Sequence, residues 1–201
     1  VLTIIGARPQ FIKAAMINNI FNDYDDVEEI ILHTGQHYDF NMSDVFFEKL
    51  NISEPKYNLS INGLSHSSMT GRMLEKIGEV IEIENPDWVL VYGDTNSTLA
   101  GALAAKQNKI KLAHVEAGLR SFNFLMPEET NRVLTDRISD VLFCPTELAV
   151  QNLKNEGFSS DHYNILNVGD VMYDVAINFC NKAESPTFNL PDNYLLFTLH
   201  R

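Results

Sequence analysis

The sequence predicts an α/β fold built on a doubly wound parallel sheet. Short apolar runs that fit strands buried on both faces, such as Trp88 to Tyr92, alternate along the chain with segments of helical periodicity. The run from Trp88 stops at Gly93, a residue that ends regular structure. Repeated alternation of strand and helix at this spacing predicts parallel strands joined by right-handed crossovers, which is a Rossmann-like arrangement.

Composition narrows the class of protein. The chain has 201 residues, 45% of them hydrophobic, which is enough for one large or two small domains with a proper core. Its net charge of -12 argues against binding to nucleic acid or to an anionic membrane surface, since both need clustered Lys and Arg. Cys144 and Cys180 lie far apart without a metal-type spacing, which favours a reducing cytoplasm. The opening VLTIIGARPQFIK does not resemble a signal peptide, and no stretch approaches membrane-spanning length.

The chain opens with a predicted strand, turn and helix. Val1 to Ile5 is the strand, GARP is the turn, and Gln10 to about Phe21 is the helix. A helix amino terminus offers N–H donors and the positive end of a dipole, and Arg8 and Lys13 lie beside it, so an anion site is one interpretation. The other is that both are surface charges around a common turn, and a lone GARP favours that one.

The next elements reach the middle of the chain. They are predicted as a strand, a helix, a loop or irregular strand, and a long helix: Val27 to Thr34, Asp44 to Leu50, Ser53 to Gly63, and His66 to Glu84. Gln36 and His37 lie in the exit loop of the strand. The methionines of the long helix, Met69 and Met73, belong to its apolar face, which we assign to the core.

Two acidic residues come after two consecutive predicted strands. Asp94 comes after the strand that ends at Gly93, and Glu116 comes after the strand Ile110 to Val115. Between them, Thr95 or Asn96 caps a helix that runs to about Gln107. Ligands of open parallel sheets bind outside the carboxyl ends of the strands, so Asp94 and Glu116 should face one cleft.

A third acid, Glu128, opens the helix that runs to Ser139 behind Pro127. Carboxylates gathered in a cleft should repel and desolvate one another, which would raise the pKa of at least one toward neutrality and suit acid–base catalysis. Each acid also has a structural interpretation, in which Asp94 caps a helix, Glu116 pairs with Arg120 and Glu128 favours the helix dipole. Three converging acids favour function over these alternatives.

A metal is a rival use of the three acids. His114 lies close to Glu116, but we expect the two side chains to point to opposite faces, so no metal site is predicted. The GARP turn does not match GxGxxG, so no nicotinamide cofactor is expected either.

The last third of the chain continues the alternation and then breaks it. The predicted elements are a strand, a helix capped by Thr146 and ending near Gly157, a further strand, and a helix through about Cys180; the strands are Val141 to Cys144 and Asn164 to Val168. SPTFNLPD then predicts a linker, and Tyr194 to Leu199 a strand. The expected organisation is a first domain over residues 1–184, a linker over 185–192 and the opening strand of a second domain over 193–201.

Five motifs resemble a known family. GDTNSTLAGALAA, HVEAGLRS, MPEETNR, IIGARPQFIK and TGQHYD are similar, in order and spacing, to the non-hydrolysing UDP-N-acetylglucosamine 2-epimerases. The resemblance covers essentially the whole length. It implies the first half of a glycosyltransferase-B-like architecture, whose second nucleotide-binding domain opens with the motif that begins LHR. It also implies a cytoplasmic homodimer, and a UDP-sugar as the partner.

The resemblance further implies a reaction. UDP is eliminated from UDP-N-acetylglucosamine to give 2-acetamidoglucal and is then added back, which inverts C2 and supplies precursors of cell-surface polysaccharide. By this resemblance the catalytic residues are Asp94, Glu116, Glu128 and His200, and the substrate-binding residues are Arg8, Lys13, Asn96, Arg120 and Arg132. Gln36 and His37 resemble part of an allosteric site, although a second Gln of that site is missing from HYDFNMSD.

The sequence also leaves other functions open. The segment around HVEAGLRSFNF also looks like family members that act on UDP-2,3-diacetamido-2,3-dideoxyglucuronic acid. A hydrolysing epimerase and a glycosyltransferase are weaker alternatives. From another class, the 201-residue chain by itself is expected to be inactive and to act at most as a non-catalytic binding or interaction module.

Overall fold

The computed structural model describes residues 1–37, 50, 52–159, 162–182 and 188–197. The strands are β1 (Leu2–Ile5), β2 (Ile30–His33), β3 (Tyr57–Asn58), β4 (Trp88–Tyr92), β5 (Lys111–Val115), β6 (Val141–Cys144) and β7 (Asn164–Asn167). The helices are α1 (Arg8–Phe21), α2 (His66–Glu84), α3 (Asn96–Gln107), α4 (Pro127–Ile138), α5 (Glu147–Asn155) and α6 (Val171–Phe179), and a short 3₁₀ helix comes next at Cys180–Lys182.

The sheet confirms the predicted fold class. Its order is β3-β2-β1-β4-β5-β6-β7, and every neighbouring pair runs parallel. The chain first builds outward from β1 through β2 to β3, then returns to the other side of β1 and builds outward from β4. The order therefore reverses between β1 and β4, and in open α/β sheets the crevice at such a reversal is the usual ligand site.

Two helical layers cover the sheet because its central strands are apolar on both faces. On one face, the apolar stripe of α2 packs with α3, and its buried members are Met73, Ile77, Val80 and Ile81, which confirms the methionine-bearing stripe as core. On the other face, α1 packs Phe11 and Ala14 against strand residues such as Tyr92. A third cluster joins α5 to β6.

Helix caps agree closely with the sequence. The hydroxyl of Thr95 accepts the N–H of Thr98 at the start of α3, and the hydroxyl of Thr146 accepts the N–H of Ala149 at the start of α5. Thr95 is therefore the cap, and Asp94 and Asn96 are not. No helix in the described ranges combines the length and apolar character needed to cross a bilayer.

Three other predicted elements compare differently with the structure. Within Ser53 to Gly63 a two-residue strand, β3, forms because it pairs with β2. The helix predicted from Asp44 to Leu50 lies, apart from Leu50, outside the described residues. In the segment predicted as a strand from Tyr194 to Leu199, residues 194–197 are exposed and have no neighbouring strand among the described residues, while 198–199 lie outside them. The strand was expected to open a second domain, and it stays a prediction. The division into two domains stays a prediction.

Gly101 sets how closely α3 approaches the sheet. A Cβ at this position would lie 2.8 Å from Cδ1 of Ile4 and 3.2 Å from Cγ1 of Val91, whereas a Cβ at Gly71 of α2 would meet nothing within 4 Å. Ala is favoured over Gly in helices by about 1 kcal/mol, and overpacking a core costs about 1–3 kcal/mol.

We therefore expect Gly71→Ala to raise the free energy of unfolding by about 1 kcal/mol, and Gly101→Ala to lower it or leave it unchanged. Chemical denaturation of the two variants beside the unaltered protein measures both changes. An equal gain in both would show that α3 does not lie as close to β1 and β4 as described.

Candidate functional site

The carboxyl ends of β4 and β5 place two of the predicted acids at one edge of the sheet. The strands pair in register, with Tyr92 opposite Val115, and the N–H of Gly93 donates to the carbonyl of Val115 at 3.0 Å. The Oε2 atom of Glu116 lies 3.2 Å from where a Cβ on Gly93 would be. Glu116 therefore lies over the residue that precedes Asp94, beside the sheet reversal.

Each of the two carboxylates has a cation of its own. Lys13 of α1 donates to Oε2 of Glu116, and Arg132 of α4 donates to Oδ2 of Asp94. The side chains of Asp94 and Glu116 are 32% and 21% exposed, so both are accessible from solvent. Each of these charges is compensated locally by a cation, and the expected repulsion between the two acids stays a prediction.

These ion pairs also overturn two structural interpretations. Glu116 pairs with Lys13, whereas Arg120 turns away from it to bind Asp136 and Glu156. Asp94 does not cap α3. Two residues predicted to bind substrate, Lys13 and Arg132, thus hold the two acids in place.

Glu128 and Glu129 separate at the start of α4. Glu128 is half-buried and lies one helical turn before Arg132, so the two share a face of the helix and Glu128 lies on the side that reaches Asp94. It makes no hydrogen bond or ion pair within the described residues. Its catalytic role stays a prediction.

Glu129 was missed by the sequence analysis. Its side chain is 1% exposed and accepts the N–H of Ser121 at 2.9 Å, the hydroxyl of Ser121 at 2.8 Å and the N–H of Phe122 at 2.9 Å. Arg132 also donates to it at 3.1 Å, so one guanidinium links Glu129 to Asp94. Burial acts to raise the pKa of Glu129, but the hydrogen bonds from Ser121 and Phe122 and the charge of Arg132 lower it overall. The one feature of the sequence that could have pointed to Glu129 is its position next to Glu128.

The amino terminus of α1 differs from the expected anion site. Oε1 of Gln10 accepts the N–H groups of Gly6 and Ala7 at 2.8 and 3.0 Å, and Nδ1 of His37 accepts the N–H of Arg8 at 3.0 Å. These backbone donors are therefore occupied, and the expectation of free N–H groups there is wrong. The side chain of Arg8, in contrast, is exposed to solvent.

Gln36 and His37 join the exit loop of β2 to two helix starts. Oε1 of Gln36 accepts the N–H of Ser97 at 3.2 Å and its hydroxyl at 2.8 Å, at the start of α3. His37 contacts the start of α1 through Arg8. Both have structural partners, and their allosteric role stays a prediction.

Two other predicted substrate contacts lie inside the protein. The side chain of Arg120 is 1% exposed, with bonds to Asp136 at 2.7 Å and to Glu156 at 2.6 and 2.8 Å. Burial acts to lower its pKa, but the two carboxylates raise it overall. Asn96 is 5% exposed and accepts from Asn131 at 3.4 Å. This burial argues against either as a direct contact. His200 lies outside the described residues.

His114 and Glu116 do point to opposite faces, as expected. Simple alternation along a strand places residues two apart on the same face. Glu116, however, comes after the end of β5 and has φ 75°, a left-handed conformation that turns its side chain toward α1. His114 instead contacts Asp136 of α4. Among the described residues, no group of three or more His, Cys, Asp or Glu could hold a metal.

Comparison with known proteins assigns the family. The family model described as UDP-N-acetylglucosamine 2-epimerase matches residues 20–201. The chain belongs to this epimerase family. It is 58% identical, over 100% of its own length and 57% of the relative's, to UDP-2,3-diacetamido-2,3-dideoxy-D-glucuronate 2-epimerase of Pseudomonas aeruginosa. It is 46% identical, over 98% of its length and 55% of the relative's, to UDP-N-acetylglucosamine 2-epimerase of Methanococcus maripaludis.

A solved epimerase shares the fold. The crystal structure of Methanocaldococcus jannaschii UDP-GlcNAc 2-epimerase in complex with UDP-GlcNAc and UDP superposes with a TM-score of 0.88 at 47% identity, covering 92% of this chain and 51% of that one. The chain thus spans about half the length of the epimerases it matches. The family prediction is confirmed, and so is the Rossmann-like fold of the glycosyltransferase-B-like class.

Glu129 makes a pH-dependent contribution to stability. Because its pKa is lowered in the folded protein, the contribution is present above its ordinary pKa of 4.5 and is lost as the pH falls through the folded value. We expect Glu129→Gln to lower the free energy of unfolding by about 1–3 kcal/mol at neutral pH, and by less in acid. Urea titrations at several pH values measure this.

Glu128→Gln is the matched control, since Glu128 lies at the same helix start without a partner in the described residues. We expect it to change the free energy of unfolding by less than about 0.5 kcal/mol. A loss of stability in Glu129→Gln that does not shrink in acid would contradict the assignment of the lowered pKa.

Proposed function

We propose that the whole protein containing this chain inverts C2 of UDP-N-acetylglucosamine to give UDP-N-acetylmannosamine. The observation that carries the proposal is the placement of Asp94 and Glu116 on neighbouring strand ends, each beside a cation, at the reversal of the sheet. The family supports it, and the relative whose structure holds UDP-GlcNAc and UDP has this same fold. The substrate is a UDP-sugar, and the active form is a homodimer in the cytoplasm.

The reaction needs acid–base groups at C2, and carboxylates can fill this role. A base takes the proton from C2 while the bond between C1 and the diphosphate oxygen breaks and its electron pair leaves with UDP, which forms 2-acetamidoglucal. UDP then adds back to C1, and C2 takes up a proton on the opposite face. Removal and delivery on two faces of one ring are best served by more than one acid–base group, and the cleft offers Asp94, Glu116 and Glu128.

The cations of the cleft suit the same chemistry. Lys13 and Arg132 form ion pairs with Glu116 and Asp94, and a carboxylate is a group that can accept a proton. Ionised carboxylates also stabilise positive charge that develops at C1 as UDP departs. In this proposal Arg8 and His200 balance the negative charge on the diphosphate. No metal or nicotinamide enters these steps.

UDP-2,3-diacetamido-2,3-dideoxyglucuronic acid is the second candidate substrate. The relative that acts on this sugar is 58% identical, against 46% for the Methanococcus maripaludis epimerase named for UDP-N-acetylglucosamine. Its additional carboxylate needs an additional cation. Within the described residues, the exposed guanidinium of Arg8 is in no ion pair and meets that need.

Solvent exchange tests the acid–base residues. In deuterated water, the unaltered whole protein should place deuterium at C2 of recovered substrate and product, as mass spectrometry can show. Asp94→Asn and Glu116→Gln should each slow this exchange by about 100-fold or more if the replaced carboxylate transfers the proton. Arg137→Gln, on the far part of α4, is the control and should exchange normally. Full exchange in both acid variants would remove these carboxylates from the mechanism.

Direct assay decides between the two sugars. Each nucleotide sugar is incubated with the whole protein, and the epimers are separated and quantified. If the uronate is the preferred sugar, Arg8→Gln should remove that preference, because the extra carboxylate loses its cation; if UDP-N-acetylglucosamine is preferred, Arg8→Gln should lower its turnover, because the diphosphate loses that cation. Turnover of neither sugar would refute the proposed function.

A further inference from the structure

The imidazole of His114 occupies a fully buried position behind the cleft. Its Nε2 lies 2.7 Å from the carbonyl oxygen of Gly93, and its Nδ1 lies 2.7 Å from Oδ1 of Asp136. The ring therefore joins three elements, since it belongs to β5, Gly93 comes directly after β4, and Asp136 belongs to α4. None of the steps proposed above uses it.

The hydrogen-bond partners of the ring show that Nε2 carries a hydrogen. A carbonyl oxygen only accepts, so Nε2 must carry a hydrogen that it donates to Gly93. The other oxygen of Asp136, Oδ2, accepts the N–H of Gly118 at 3.1 Å and the guanidinium of Arg120 at 2.7 Å. Oδ1 of Asp136 is the atom left to face Nδ1 of His114, so the two contacts together fix the orientation of the ring.

The charged groups around the ring are paired with one another. A buried charge is stable only when it is paired and hydrogen-bonded. Asp136 faces His114 from α4, Arg120 faces Asp136 from the loop after β5, and Glu156 at the end of α5 pairs with Arg120. Burial acts to raise the pKa of Asp136, but the hydrogen bond and charge of His114 and the charge of Arg120 lower it overall.

We propose that His114 is a positioning residue whose ring, clamped between Asp136 and the carbonyl of Gly93, holds Asp94 and Glu116 in register. Gly93 is the residue before Asp94 and lies under the carboxylate of Glu116, so a clamp on its carbonyl fixes both acids. The proposal rests on the proposed function. A misplacement of about 1 Å at a reacting group costs about 100-fold in rate.

Two substitutions separate the two contacts of the ring. The amide nitrogen of Gln reaches roughly as far as Nε2 of His, so His114→Gln keeps a donor to Gly93, whereas the shorter His114→Asn keeps a partner for Asp136 and loses Gly93. In the whole protein we expect His114→Asn to lower kcat about 10- to 100-fold with KM changed less than about threefold, because positioning is lost and binding is not. His114→Gln should recover most of the loss. Equal losses in both variants, or none in His114→Asn, would overturn the proposal.

A spectroscopic test needs neither activity nor a variant that folds. In whole protein labelled with ¹⁵N at histidine and ¹³C at the glycine carbonyl, Nε2 of His114 should carry a hydrogen at neutral pH and show a coupling across the hydrogen bond to the carbonyl carbon of Gly93. Sequential assignment of the unaltered protein identifies the signals of His114 and Gly93. An Nε2 without hydrogen, or no coupling to Gly93, would refute the clamp. Because no substrate is present, this outcome is independent of whether the protein epimerises either sugar.

Discussion

The parallel pairing of β4 with β5 is the constraint on which the site depends. Since the two strands lie in register, Asp94 and Glu116 leave the sheet at the same edge although they are far apart in the chain. The helices that cover the two faces then supply one cation to each acid, Lys13 from α1 and Arg132 from α4. A shift of one strand by a single residue would exchange the faces of its side chains and separate each acid from its cation.

Charge balance is the second feature of the site, and it extends below the surface. Asp94 and Glu116 are each paired with a cation, and behind them Asp136 contacts both His114 and Arg120, which also pairs with Glu156. Glu129 continues this arrangement because its carboxylate ties the loop after β5 to Arg132. A protein with a net charge of -12 thus keeps locally compensated charge around these strand ends.

Sequence reasoning succeeded for the features that periodicity and topology determine. Buried strands, amphipathic helices and the Thr95 and Thr146 caps are local patterns, and the exit of Asp94 and Glu116 at the same edge of the sheet is a consequence of the parallel pairing. It failed where the role of a residue depends on the direction of its side chain. Gln10 fills the amino terminus of α1, and Arg120 turns inward, because of partners that lie far away in sequence. The neighbours Glu128 and Glu129 point differently only because a helix rotates about 100° per residue.

We propose that the carboxylates at the ends of β4 and β5 act on C2 of a UDP-sugar. A crystal structure of the whole protein with bound UDP-N-acetylglucosamine measures this directly. We expect a carboxylate oxygen of Asp94, Glu116 or Glu128 to lie within about 3–3.5 Å of C2. A sugar ring held elsewhere, with all three carboxylates still turned to their own cations or to solvent, would contradict it.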